Sequence, residues 1–135
     1  MAKIRIEQAP TFTIDVEVPR VGGKPAKVPF TFAYKDRNAL SAFADEQIQH
    51  SKQFAEQVKE EGATVLDLTA KTIDFQVKHL AEIIVGWGFE DELSEHSIRA
   101  LVCSASSVPD AILKAYQAAW ETEGGRPVPL RRPAQ

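Results

Sequence analysis

Cysteine is almost missing from the 135 residues: Cys103 stands alone, so no disulfide can close within the chain. A reducing compartment is the expected setting. Long apolar runs are missing too. No stretch approaches the ~18 residues of a membrane span, and charges interrupt the apolar residues of Lys3-Ile4-Arg5-Ile6-Glu7, so neither a secretory leader nor a membrane partner is expected. Nor is there an excess of positive charge. Sixteen Lys and Arg face 19 Asp and Glu, a net charge of −3, which removes the overall electrostatic case for nucleic acid. The tail arginines and the basic hairpin tip lack an aromatic reading surface or a recognition helix. Internal repeats and low-complexity blocks are also absent.

Motifs that carry chemistry are equally scarce. His50, His79 and His96 fall on three different expected helices, without HExxH or Cys/His ligand spacing. His79 and Glu82, three residues apart, read as a helix-surface pair rather than half of a metal site. Cys103 follows Val102 on an apolar helix face and reads as a small core thiol, and Ser104, Ser106 and Ser107 have no G-x-S-x-G frame. Gly22-Gly23-Lys24 lacks the remainder of a phosphate loop and the helix that should follow one. Glu90, Asp91, Glu92 and Glu95 lack calcium-loop spacing, and acids at a helix start already suit its positive end. No catalytic, cofactor or metal site is therefore expected. A small enzyme or metal-binding protein using His79, His96 or Cys103 stays open as an alternative.

The chain does contain two strands in phase. In Thr11–Val18 the apolar residues Phe12, Ile14, Val16 and Val18 alternate with Thr13, Asp15 and Glu17, and Val28, Phe30, Phe32 and Tyr34 repeat the period of two. The Gly- and Pro-bearing stretch between them predicts an antiparallel hairpin over residues 11–35, with Ile4 and Ile6 available for a short third strand. Charge is unevenly placed. Residues 1–35 carry six basic and three acidic side chains, while residues 36–122 carry seven basic and fifteen acidic. Such polarity suits head-to-tail self-association, or simply two solvated faces.

From Asp36, an expected N-cap, the period becomes helical as far as Gly62, an expected C-cap, with Leu40, Phe43, Ala44, Ile48, Phe54, Ala55 and Val58 predicted as one buried stripe. A second helix is expected from Thr64 to Val85. Its main stripe is Leu66, Ala70, Ile73, Val77, Leu80, Ala81 and Ile84, with Leu68 and Phe75 on the far side, and Gly86 should close it in left-handed conformation. Ser94 should cap a third helix, with Leu93 stapled onto Ile98. Ser107 and Asp110 suggest a capping box on a fourth, which buries Ile112, Ala115, Tyr116, Ala119 and Trp120. The expected fold is thus α+β: an N-terminal hairpin of two or three strands, then a bundle of about four helices, forming one domain over residues 1–122 with a flexible Pro/Arg tail at 123–135.

Candidate sites reduce to protein-binding residues. Phe12, Phe30, Phe32 and Tyr34 share one face of a sheet too small to stand uncovered; the chain's own helices are the expected cover, and a second copy paired at the strand edge is the alternative. Trp87 and Phe89, between two helices, are either packing anchors or a grip on a partner, and the anchor is preferred.

The order of elements, with Ile83-Ile84-Val85-Gly86-Trp87, Asp91, Leu93-Ser94, Leu101, Pro109, Ala111-Ile112, Ala115-Tyr116 and Ala119, resembles the tail assembly chaperones of long-tailed bacteriophages over residues 12–122. The resemblance implies a non-enzymatic protein of the infected cell's cytoplasm, leaving before the virion is complete. Its implied partners are the long, largely helical tape measure protein, the tail tube protein and further copies of itself. Another phage part, such as a tail terminator or connector subunit, is the alternative within the same setting.

Overall fold

The computed structural model describes residues 3–123 and 126–127. Thr11–Val18 form β1 and Ala26–Ala33 form β2, antiparallel, with Thr11 opposite Ala33 and Val18 opposite Ala26. The period of two sets the faces. Val16, Val18, Val28, Phe30 and Phe32 are buried, whereas Thr13, Asp15, Glu17 and Lys27 are exposed. On the exposed face the Thr13 and Thr31 hydroxyls bond across the strands at 2.8 Å.

A third strand exists, but elsewhere than the N-terminal stretch suggested. Ile4 and Ile6 are 95% and 98% exposed and lie outside any strand. The partner of β2 is β3, Ile84–Trp87, antiparallel, giving the order β1-β2-β3. This corrects the expected helix end. The second helix stops at Ala81, and Gly86 has no positive φ; it stands in the strand opposite Thr31. The physical reason lies outside the local sequence: β2 offers a free edge, so the backbone of 83–88 finds ladder partners instead of helical ones. Two bonds clamp it, Ala33 N–H to the Ile83 carbonyl at 2.8 Å and Gly88 N–H to the Pro29 carbonyl at 2.9 Å.

Between β2 and β3 the chain makes a long detour. Helix α1, Arg37–Val58, is capped by Asp36, whose Oδ1 accepts from Ala39 N–H at 2.9 Å. It ends at Lys59, before Gly62, which takes the left-handed conformation at φ 86° in the following turn. Helix α2, Val65–Ala81, is capped by Thr64. Of the expected α1 stripe only Phe43 is buried. Ile48 and Val58 are about half exposed, at 49% and 50%, and Ala44 and Ala55 are open as well. On α2, Val77 and Leu80 reach the core but Leu66 is 78% exposed and Ala70 and Ala81 are exposed. The outer half of this helical hairpin therefore projects past the core as an arm.

Helix α3, Glu95–Ser104, begins in a reciprocal cap: Ser97 N–H donates to Ser94 Oγ at 3.1 Å and Ser94 N–H to Ser97 Oγ at 2.8 Å. Helix α4, Val108–Ala118, has Pro109 in its first turn, but Ser107 makes no side-chain cap because its backbone is already helical. A 3-10 turn, Ala119–Glu121, follows. Ile98 and Val102 of α3, Ile112 and Tyr116 of α4, Val77 and Leu80 of α2 and Phe43 of α1 form one cluster with the buried sheet face. Tyr116 Oη donates to the Ala33 carbonyl at 2.8 Å and so bolts α4 to the end of β2. Cys103 is exposed, contrary to the core thiol expected, because the buried ridge of α3 runs through Ile98 and Val102 and leaves its neighbour outside. Thr122–Glu123 pair with Arg126–Pro127 as β4 and β5; the remainder of the tail expected to be flexible lies outside the described residues.

Candidate functional site

The predicted aromatic residues are split between core and surface. Phe30 and Phe32 are 0% exposed and stack on one another with centroids 5.7 Å apart, so they offer no area to a partner while the core is closed. Phe12 and Tyr34 are half-buried at the rim. Tyr34 stacks on Trp120 at 6.1 Å and Phe12 meets the same indole edge-on at 5.5 Å. A hollow of about 700 Å³ opens beside these three rings, with Arg37 on its wall.

Trp87 and Phe89 are half-buried and share a corner. Trp87 meets Phe30 edge-on at 6.1 Å and Phe89 at 5.0 Å, and its indole N–H donates to the Asp91 carbonyl at 2.9 Å. The flanking glycines serve the strand. A Cβ on Gly86 would touch Thr31 at 3.4 Å, whereas one on Gly88 would stand 2.7 Å from two ring carbons of Pro29. Beside Trp87 and Phe89 a smaller hollow of about 220 Å³ reaches Arg20 and Leu101.

The arm carries a third surface. Phe54 and Val65, 37% and 81% exposed, line a groove of about 450 Å³ with Leu68, Ile73, Val102 and Cys103. Arg99 binds Asp74 at 2.8 Å and ties α3 to α2. The arm's root is closed by a column of rings that sequence reasoning missed. Phe43 stacks on His79 at 3.8 Å, His79 on Phe75 at 4.8 Å and Phe75 on His50 at 4.3 Å. The signal was present as Phe43 and His50 two turns apart on α1, and Phe75 and His79 one turn apart on α2.

His79 is thus buried, not a surface residue. Its Nε2 lies 2.9 Å from the Phe43 carbonyl, and burial holds its pKa below the ordinary value despite that bond and the nearby Glu46. A neutral ring with Nε2–H donating fits both observations. Glu82 turns toward Glu46 instead: although the residue is exposed, partial loss of hydration, then the hydrogen bond and charge of Glu46, push its carboxyl up to about 7, against a smaller pull from Lys35. Among the described residues no group of three His, Cys, Asp or Glu side chains has the placement to hold a metal ion.

A family model described as phage tail assembly chaperone matches residues 1–124. The chain belongs to that family. The resemblance read from the sequence is thereby confirmed, and this chaperone has a non-enzymatic role in tail assembly within the infected host cell, among tail-related protein partners. No helix among its described residues is long and apolar enough to cross a membrane. No curated protein and no solved structure matches it.

Proposed function

We propose that this chaperone binds the tape measure protein, keeps it from aggregating, helps to recruit tail tube subunits, self-associates and leaves before the virion is complete. The observation that carries the client role is the arm, whose α2 start leaves Val65 and Leu66 81% and 78% exposed beside an apolar groove. Exposed apolar side chains that adjoin an apolar groove form a continuous patch, and a groove between helices receives the apolar face of another helix. A long, largely helical client, as the family resemblance implies, supplies many such faces. Trp87, Phe89, Phe12 and Tyr34 border two further hollows and extend the protein-binding surface.

Co-expression with the tape measure protein tests this reading. The wild-type chain is expected to raise the soluble fraction of that protein several-fold, and Val65→Asp with Leu66→Asp to remove most of the gain while the chaperone itself stays folded. Equal solubility with and without the chaperone would refute the client role. Mass spectrometry of purified virions is expected to find no copy, whereas a terminator or connector subunit would persist there.

A further inference from the structure

We infer that the outer face of α1 is the contact between two copies of this chain, packed antiparallel across a two-fold axis; this rests on the self-association proposed above and names its surface. Part of the apolar stripe of α1 is turned away from α2. Phe43, Glu46 and His50 meet α2 and Phe54 lines the groove beside it, whereas Ser41, Ala44, Ile48, Ser51, Ala55 and Val58 follow one another at steps of three and four residues. That alternation is the 3.5-residue repeat of a helix-on-helix seam. Apart from half-exposed Ile48 and Val58 its residues are small, so a second helix can approach closely.

Charge decides both the occupant and its direction. Along the solvent flank of the seam stand Asp45 and Lys52, both exposed, one heptad apart. In an antiparallel pair that sets Ser41 against Val58, Ala44 against Ala55 and Ile48 against Ser51 of the second copy, the same flank positions face each other. Asp45 of each copy then meets Lys52 of the other, twice by symmetry. A parallel pair would instead set Lys52 against Gln47 and Lys59 against Phe54, with no charge satisfied. The face is therefore self-complementary in one orientation only.

Sedimentation equilibrium of the full chain alone tests this. The wild type should dimerise with concentration. Asp45→Lys and Lys52→Asp, each placing like charges together twice, should each weaken dimerisation by about tenfold. Mixed with one another, the two variants should pair as a heterodimer with affinity near wild type. Ile48→Lys should abolish the dimer while circular dichroism stays unchanged. A strict monomer, single variants that dimerise like wild type, or a mixture no stronger than either variant alone would each overturn the assignment. The client role is read separately, by solubility of the tape measure protein. A charge-swapped pair that restores dimerisation upholds this interface even where that protein stays insoluble, and a chain that solubilises it while remaining monomeric overturns this interface and leaves the client role standing.

Discussion

Glu82 and His79 sit three residues apart on one turn yet respond to pH in opposite directions. The Glu82 pKa is raised to about 7 from 4.5, so its contribution to stability is present below the unfolded value and lost as pH climbs toward 7. The His79 pKa is lowered, so its contribution is present above 6.5 and lost as pH falls through the folded value. Glu82→Gln should therefore raise the urea midpoint at pH 8 relative to wild type and leave it nearly unchanged at pH 4. Solvent at this exposed position screens part of the effect. The glycines give a second residue-scale expectation. Gly88→Ala drives a methyl into the rigid Pro29 ring, 2.7 Å away, and should cost roughly 1 to 3 kcal/mol in chemical denaturation. Gly86→Ala, whose Cβ meets Thr31 at 3.4 Å, should cost less.

At the scale of elements, what sequence could read depended on whether an element's partner was local. The hairpin was legible because strict alternation names its own buried face, and α3 because Ser94 and Leu93 mark its start. β3 was not legible. Ile83, Ile84 and Val85 continue the apolar phase of α2, and only the edge of β2, about fifty residues earlier, makes them a strand. The α1 stripe is legible as a stripe, but only its Phe43 is buried and its Ile48 and Val58 are half exposed, because periodicity identifies an apolar face without saying what covers it. The candidate surfaces follow the same rule: Phe12, Tyr34, Trp87 and Phe89 were nameable as aromatic, but only the fold separates them from Phe30 and Phe32. The joint at β3 has its own prediction. Trp87→Ala removes a half-buried ring packed on Phe30 and Phe89 and should lower stability by about 3 kcal/mol, whereas Trp87→Phe, which mainly gives up the bond to Asp91, should cost about 1 kcal/mol; thermal and urea unfolding would measure both.

For the whole molecule, the sheet, α3, α4 and the roots of α1 and α2 close the core while the outer α1–α2 arm extends from it, and the client surface proposed above lies on that arm. Surface substitutions on the outer arm, Leu66→Asp among them, should shift the melting temperature by no more than a few degrees yet reduce the soluble yield of co-expressed tape measure protein several-fold. Equal losses of stability and of client solubility would tie the arm to folding instead. The Ala33–Ile83 hydrogen bond, 2.8 Å long, gives this division a further meaning. The arm leaves and re-enters the sheet at adjacent points, so it is an excursion whose extent the sheet does not register. Removing about four residues from each helix would bring its tip ~6 Å nearer without disturbing a strand pairing. Reach is thus a separately adjustable dimension of this fold, set by helix length alone.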